Sequence, residues 1–224
     1  MTEEIEKEIS YENIPFEEQK KYGFFKSFGL TVYMLVRTPS DFFRRMHVNK
    51  GLGYPFIFLL IVLTVSNVMN YIYIKYNIIE SPAEQITKAL ESSPELKTQA
   101  EVFKSMFDKE ATLWDIPVSI FANFGFMFLL AAYWHLILLT MKIAGNGFEA
   151  TVRIFCYSSV ILLTSVFPIS SPLLNFAVYM WWAFIMYKGI SEAHEVSLNL
   201  AWRGMTISLL ATMIPFILFA AAFF

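Results

Sequence analysis

Residues 54–73 read YPFIFLLIVLTVSNVMNYIY, a run of twenty residues without a charged side chain. An α-helix rises about 1.5 Å per residue, so a helix of this length spans roughly 30 Å, the thickness of the hydrocarbon core of a bilayer. A helix in the core of a soluble protein seldom runs this far without a charged face. The stretch therefore predicts a transmembrane helix.

The composition of the whole chain is that of a membrane protein. Of the 224 residues, 56% are hydrophobic and 16% are charged, whereas about 25% of the residues in a soluble domain are charged. Most of the charges lie before Gly51 or between Lys75 and Asp115. The net charge of −2 gives no reason to expect a nucleic-acid partner.

Further apolar stretches follow the first. Together they predict five transmembrane spans, at about residues 54–73, 116–141, 149–167, 173–187 and 204–224. Only PISSP at residues 168–172 connects the third and fourth spans, so these two must form an antiparallel hairpin. The predicted fold class is all-α: a polytopic membrane protein with a five-helix transmembrane bundle in residues 54–224.

The residues before the first span divide into two parts. Residues 1–21 are rich in Glu and Lys, which predicts a mobile polar N-terminus. Residues 22–53 predict amphipathic helices in the membrane interface, because apolar side chains recur at three- and four-residue spacing. A second helix begins at Thr38-Pro39, a capping residue followed by proline. The apolar stripe of the first helix consists of Phe24, Phe25, Phe28, Val32, Leu35 and Val36.

Aromatic and basic side chains adjoin in the second of these helices, where Phe42 and Phe43 precede Arg44 and Arg45. This combination suits a helix in the headgroup region of an anionic leaflet. The aromatic rings are equally consistent with a structural collar packed beneath the spans. Both interpretations stay open at this point, and they do not exclude each other.

A polar insert, residues 75–115, separates the first two spans. Ser81-Pro82-Ala83-Glu84 has the pattern of a capping box with proline at the first helical position. Ser92-Ser93-Pro94-Glu95 repeats this signal. We therefore expect a small soluble insert of two short helices on one side of the membrane domain.

The distribution of lysine and arginine predicts the orientation of the chain. Eight of these residues precede the first span and two each follow the second and fourth spans, which places twelve on one side. The other side carries five, all in the insert. Because loops rich in lysine and arginine stay inside, we expect the N-terminus inside and the C-terminus outside.

No pattern of catalytic residues is present in the sequence. It contains no GxSxG, no P-loop and no GxGxxG at the start of a helix. Glu192, His194 and Glu195 are neighbours, but only the two glutamates share a helical face, and the spacing of metal ligands is missing. We therefore expect no enzyme and no catalytic, metal-binding or cofactor-binding residues.

The predicted spans contain several neutral polar side chains. Such residues commonly hydrogen-bond to a neighbouring helix. Alternatively, they line one water-filled cavity. For His135 we favour packing over a proton relay, because no Asp or Glu lies deep in the spans to pair with it. The candidate intramembrane contacts are Asn67, Asn70, Asn123, His135, Ser158 and Asn175.

Short motifs occur along the chain in a recognisable order. RTPSDFF at residues 37–43 precedes a glycine-rich break and a span that begins with proline. Over about residues 24–224 the chain resembles the Yip-domain family, the Rab/Ypt-interacting five-span membrane proteins. The motifs of the second half are GFEA at 147–150, YSS at 157–159, Phe167-Pro168, Trp181-Trp182, and Gly189-Ile190 with His194, Ser197 and Ala201.

The resemblance implies a compact helical bundle with a cytosolic N-terminus. Eukaryotic members of the family are tied to Rab GTPases, vesicle traffic and membrane shaping. This chain is without their long N-terminal region and their Asp-Leu-Tyr-Gly-Pro stretch, and it looks like the short prokaryotic type. We therefore expect a multi-pass protein of a prokaryotic cytoplasmic membrane, without a Rab-type GTPase as its partner.

The favoured function is a non-enzymatic integral membrane scaffold or adaptor that organises or shapes the membrane through its cytoplasmic face. We expect it to contact anionic headgroups at the inner face and to bind a protein partner or a second copy of itself. The alternative is a channel or small-molecule transporter with a polar cavity between the helices. The predicted interaction surface consists of Arg37, Pro39, Phe42, Phe43, Arg44, Arg45, Glu192, His194 and Ser197.

Overall fold

The computed structural model describes residues 13–92, 97–98, 100–101, 112–168 and 171–223, with the side chains of the last helix described as far as residue 214. The regular elements in these ranges are all helical. Pro15–Glu18 and Ser159–Val166 are 3₁₀ segments. The α-helices are α1 (Gln19–Tyr22), α2 (Phe24–Arg37), α3 (Pro39–Arg44), α4 (Gly53–Lys75), α5 (Pro82–Glu91), α6 (Asp115–Thr140), α7 (Gly147–Ser158), α8 (Pro172–Ala193) and α9 (Leu198–Phe223).

Four of these segments are long and apolar enough to cross a membrane. They are α4, α6, α7 with its 3₁₀ extension to Val166, and α8, and they correspond to the first four predicted spans. The fifth predicted span, residues 204–224, falls in α9, which is 26 residues long. Because the side chains of α9 from residue 215 onward lie outside the described residues, the count of five spans stays a prediction.

α8 is longer than the sequence predicts. The predicted fourth span ends at residue 187 and a polar loop follows, whereas the helix continues to Ala193. Gly189, Ile190 and Ala193 are buried, and the intervening Glu192 is partly exposed. The charged side chain of Glu192 therefore lies on the outer face of a helix, and the connection to α9 consists of residues 194–197 only.

α7 and its 3₁₀ extension form the centre of the bundle. Of the most apolar part of this span 61% is buried, compared with 33% for α4 and 6% for α6. α7 packs against α4, α6 and α8, and the 3₁₀ segment packs along α4. The hydroxyl of Tyr73 near the end of α4 donates a hydrogen bond to the carbonyl of Val166. The outer helices thus share this span as their common contact.

Residues 13–21 are packed against the bundle, which corrects the prediction of a mobile N-terminus for this part of residues 1–21. Ile14 and Phe16 are buried. The backbone N–H of Phe16 donates to Oγ1 of Thr31 at 3.0 Å, and its ring meets that of Phe58 edge-on at 5.5 Å between centroids. Ile14 and Phe16 help to anchor this polar segment, and the average composition of residues 1–21 does not reveal them. Residues 1–12 lie outside the described residues.

α2 turns its smaller side chains inward. Ser27 and Thr31 are buried together with Met34 and Leu35, whereas Phe25 is 88% exposed. The predicted apolar stripe is therefore divided between two faces, with Leu35 inside and Phe25 outside. Phe16 lies beside Thr31, to whose hydroxyl its backbone N–H donates.

The insert begins as the sequence predicts. Oγ of Ser81 accepts a hydrogen bond from the N–H of Glu84 at 3.2 Å, and the Glu84 carboxylate accepts one from the N–H of Ser81 at 2.7 Å. This reciprocal capping box confirms the predicted start of α5. The second predicted capping signal, residues 92–95, lies mostly outside the described residues.

Gly189 lets α8 approach α7 and α3 closely. A Cβ atom at this position lies 2.7 Å from Cγ2 of Ile154 and 3.1 Å from Cζ of Phe43. We expect Gly189→Ala to force these helices apart and to lower the free energy of unfolding by roughly 1–3 kcal/mol. Thermal unfolding in detergent, followed by circular dichroism, measures this change.

Gly125→Ala is the matched control for this variant. Gly125 lies within α6, and a Cβ atom there has no atom within 4 Å. Because alanine is the better helix former, this variant is expected to unfold at the wild-type temperature or slightly above it. Equal unfolding temperatures for the two alanine variants would contradict the close packing at Gly189.

Candidate functional site

Arg153 of α7 is buried, with 1% of its surface exposed. Its guanidinium makes three hydrogen bonds, one within α7 and two to distant parts of the chain. Nε donates to Oε1 of Glu149 at 3.0 Å, Nη1 donates to Oε1 of Glu17 at 2.7 Å, and Nη2 donates to the carbonyl of Gly51 at 2.7 Å. A buried charge is stable only when it is paired and hydrogen-bonded. These contacts therefore fix the segment of Glu17 and the loop at Gly51 against α7.

Glu149 lies in the first turn of α7 and also binds the loop between α3 and α4. Its Oε1 accepts hydrogen bonds from the N–H of Asn49 at 3.1 Å and the N–H of Gly51 at 3.0 Å. Asn49 and Gly51 have φ angles of 77° and 78°, and such left-handed residues turn neighbouring N–H groups toward an anion. The loop is thus folded around the carboxylate, and glycine relieves the strain at residue 51.

Glu17 and Tyr157 complete this group. The hydroxyl of Tyr157 donates to Oε1 of Glu17 at 2.8 Å, the same oxygen that accepts from Arg153. The Tyr157 ring packs against the rings of Phe42 and Phe58, with centroids at 5.0 and 5.3 Å. We name this group the Arg153 cluster. Its members are Glu17, Asn49, Gly51, Glu149, Arg153 and Tyr157.

A second buried polar chain links α6, α7 and the end of α8. Nδ1 of His135 lies 2.8 Å from Oγ1 of Thr151, which lies 3.0 Å from Nε2 of His194. Burial, reinforced by the neighbouring His135, lowers the pKa of His194 to about 4, so its ring is neutral near pH 7. Within the described part of the chain, no three His, Cys, Asp or Glu side chains come together in a group that could hold a metal ion.

A cavity of about 700 Å³ lies at the other end of the bundle. Its walls come from the second half of α4, from α6, from the Ser159–Val166 segment and from α8. Asn70 of α4 and Asn175 of α8 are among the residues that line it. The cavity is separate from the Arg153 cluster, because Gly51 precedes the start of α4 and Asn70 lies near its end.

A known protein family matches most of the chain. The family model of the Yip1 domain matches residues 32–221 of the 224. The chain belongs to the Yip1 domain family. This confirms the resemblance drawn from the motifs, and the four apolar helices agree with a multi-pass integral membrane protein. Comparisons with curated proteins and with solved structures found no match.

The Arg153 cluster reaches beyond the matched Yip1 domain. Glu17 lies before residue 32, whereas Gly51, Glu149, Arg153 and Tyr157 lie within the match. The polar contacts of Glu17 are made to residues of the domain. In this Yip1-domain protein, the domain itself therefore holds the N-terminal segment in place.

The structure buries part of the predicted interaction surface. Pro39, Phe42, Phe43 and His194 are buried within the chain, so they are not accessible in this structure, and their contact with a partner stays a prediction. The rings of Phe42 and Phe43 fill space at the end of the bundle, as the collar interpretation describes. The accessible or partly accessible members of the predicted surface are Arg37, Arg44, Arg45, Glu192 and Ser197.

The candidate intramembrane polar residues do not converge on one place. Nδ2 of Asn123 donates to Oδ1 of Asn67 at 3.3 Å, which joins α6 to α4. His135 belongs to the buried chain with Thr151, and Asn70 and Asn175 line the cavity. The hydroxyl of Ser158 is buried without a hydrogen-bond partner among the described residues.

Sequence reasoning missed the Arg153 cluster. The available signal was a cation inside an apolar run, four residues after an acidic one, which places both on one helical face. The third span predicted at residues 149–167 begins with Glu149, so the sequence alone makes Glu149 and Arg153 look like the polar entrance of that span. No local pattern in the sequence identifies Glu17 as a member of the cluster, because its partner Arg153 lies 136 residues further along the chain.

Arg153→Met leaves the buried Glu17 carboxylate and the partly exposed Glu149 carboxylate without the cation they share. Removing one partner of a buried ion pair costs roughly 3–5 kcal/mol. We therefore expect a large loss of thermal stability, or a low yield of monodisperse protein, for this variant. The unfolding temperature in detergent and the size-exclusion profile measure the effect.

Arg44→Met is the matched control. Arg44 binds Glu192 through Nε at 3.3 Å and Nη2 at 3.2 Å, but this pair is exposed, where ion pairs contribute little. The variant is therefore expected to unfold close to the wild-type temperature. If loss of Arg153 proves no more harmful than loss of Arg44, the cluster does not stabilise the fold.

His194 is expected to make the protein less stable in acid. A histidine in an unfolded chain titrates near about pH 6.5, whereas the pKa of folded His194 is about 4. Between these values the unfolded state binds a proton that the folded state excludes, so stability falls as the pH is lowered through this range. The loss attributed to His194 is of order 2–3 kcal/mol.

Thermal unfolding between about pH 7 and pH 4 measures this loss in the wild type and in His194→Gln. Carboxylates that titrate in the same range affect both proteins, so the difference between the two profiles isolates His194. We expect a shallower decline in the variant. Parallel profiles would show that His194 does not exclude a proton in the folded state.

Proposed function

We propose that this Yip1-domain protein is a non-enzymatic integral membrane scaffold that organises the membrane around the end of its bundle that carries the Arg153 cluster. The observation behind the proposal is that α2 and α3 are fixed at this end. α3 packs against α8 and is joined to it by the ion pair of Arg44 with Glu192. α2 packs on the Pro15–Glu18 segment, which Arg153 binds through Glu17.

The outward face of α2 has the composition of a helix that contacts a membrane. Phe24, Phe25 and Val36 are exposed, and the exposed Lys26 and Arg37 lie on the same helix. An apolar face flanked by cations binds the boundary between headgroups and acyl chains, and its cations attract anionic lipids. Because α4 begins soon after α3, α2 is held near the bilayer. These features support an anionic leaflet as the surface to which α2 binds.

The proposed orientation places this end in the cytoplasm of a prokaryotic cell, in line with the lysine and arginine counts. The exposed Arg37, Arg44 and Ser197 are the proposed contacts for a protein partner or a second copy of the chain. A Rab-type GTPase is not part of the proposal, because residues 1–224 do not contain the Asp-Leu-Tyr-Gly-Pro stretch of the eukaryotic branch.

A channel or transporter is the less favoured function. Its polar side chains would have to meet along one path, but they are divided among an Asn67–Asn123 pair, the His135 chain and a cavity. Between the cavity and the Arg153 cluster, α4 contributes the buried apolar residues Phe58, Leu59 and Val62. These contacts support helix packing as the main use of the polar residues.

A fluorescent probe on Phe25→Cys tests the membrane contact of α2. The native Cys156 is buried, so an environment-sensitive thiol probe labels the introduced cysteine. We expect a blue-shifted emission that shallow nitroxide lipids quench in vesicles containing anionic lipid. Replacing Lys26 and Arg37 together with glutamine is expected to reduce the preference for anionic over zwitterionic vesicles.

Two positions elsewhere in the chain calibrate the probe. Phe121→Cys places it on the exposed side of α6, inside a candidate span, and Gln85→Cys places it on the exposed insert helix. The probe at residue 25 is expected to resemble the first of these in emission wavelength. If it resembles the probe on the insert instead, α2 does not lie in the membrane and the proposal loses its main support.

A further inference from the structure

The cavity between α4, α6, the Ser159–Val166 segment and α8 is large enough for a ligand. Its volume of about 700 Å³ lies within the range of about 300–1,000 Å³ that small-molecule sites occupy. Tyr179 on its wall is 67% exposed, and only 22% of the most apolar part of α8 is buried. The cavity therefore opens toward the side of the bundle that faces lipid.

The two amides of the cavity and its central apolar side chains lie at different depths. Asn70 lies five residues before the end of α4 and Asn175 three residues after the start of α8, roughly 5–8 Å from the helix ends. Met127 and Trp182 lie at least ten residues inside α6 and α8, roughly 15 Å or more from the helix ends. The amides thus lie at the depth of a lipid headgroup, and Met127 and Trp182 lie at the depth of an acyl chain.

The wall formed by Ser159–Val166 has an unusual backbone. This 3₁₀ segment is eight residues long, whereas 3₁₀ runs beyond three or four residues are uncommon and often mark a functional position. Three of its hydroxyls donate to carbonyls of the same chain segment: those of Ser159, Thr164 and Ser165. Their oxygen lone pairs remain available as acceptors.

The two asparagine amides add both donors and acceptors. The side chains of Asn70 and Asn175 make no hydrogen bond to any of the residues that the structure describes, although each reaches the cavity wall. A polar group in a membrane that lacks a partner is costly. None of the described residues that line the cavity carries a formal charge.

This combination selects one class of ligand. Cations bind a phosphate or carboxylate most strongly, but the described residues of the cavity wall supply no cation and instead present hydroxyl lone pairs and two amides. A hydroxyl group both donates and accepts, so it matches this set. Beyond the scaffold function, we propose that the cavity binds an uncharged lipid with a hydroxylated headgroup, of the diacylglycerol type, with its acyl chain toward Met127 and Trp182.

Photolabelling of the full chain in lipid nanodiscs tests the proposal. The probe is a diacylglycerol with a diazirine in its acyl chain, and the comparison lipid is a phosphatidic acid with the same chains. We expect saturable labelling of the segments around residues 159–166 and 175–182, at least about fivefold stronger for the diacylglycerol at equal mole fraction. Unlabelled diacylglycerol should displace the probe, and unlabelled phosphatidic acid should not.

Asn70→Leu combined with Asn175→Leu removes both amides with little change in volume. If each amide supplies one hydrogen bond, labelling at low probe concentration falls about fivefold or more. Thr64→Val is the matched control, because Thr64 lies on α4, hydrogen-bonds to Leu60 and is not part of the cavity wall. It should label as the wild type does.

Three results would overturn the proposal. Labelling that grows with probe concentration without saturating shows ordinary surrounding lipid, and equal labelling by both lipids shows that the cavity does not distinguish charge. Wild-type labelling of the double leucine variant shows that the amides bind nothing. The lipid competition uses the wild-type chain alone, so it decides the question even if the double variant does not fold.

Discussion

The charge of Arg153 cannot be buried unless two distant parts of the chain, the segment of Glu17 and the loop at Gly51, come to it. One cation does not neutralise two carboxylates, so the remaining negative charge is met by neutral donors. These are the hydroxyl of Tyr157 and the backbone N–H groups of Asn49 and Gly51. The position of Glu149 in the first turn of α7 adds the favourable field of the helix N-terminus. The collar of short helices at this end of the bundle depends on that arrangement.

The sequence predicts the first four spans well and the contacts between them poorly. A bilayer imposes its thickness on every span, so the length of a charge-free run identifies each helix. Contacts between distant residues leave no such local pattern. The sequence alone therefore assigns Glu17 to a solvated tail and Glu192 to a loop. Their contacts with Arg153 and Arg44 appear only in the structure. Phe42 and Phe43 are compatible with either a surface or a core until their neighbours are known.

The two ends of the third span differ in physical character. At one end, α7 is a regular helix in which Glu149, Arg153 and Tyr157 are hydrogen-bonded in the Arg153 cluster and Thr151 lies between the two histidines. At the other end, the chain forms the 3₁₀ helix Ser159–Val166, which lines the cavity. Sequence periodicity does not distinguish these halves, because both are apolar and continuous. The difference appears only in the packing, which is dense around Tyr157 and open beyond Ser159.

The hydrogen bond between Glu17 and Arg153 joins residues that are 136 positions apart. During synthesis, Glu17 leaves the ribosome long before Arg153 exists. The N-terminal segment therefore cannot reach its final position until the first two spans have been made and the third is being inserted. The N-terminal segment therefore docks late in assembly, and it docks only when the central span is correctly placed. A chain with a misplaced third span exposes Ile14 and Phe16, the kind of apolar surface that quality-control proteases and chaperones bind.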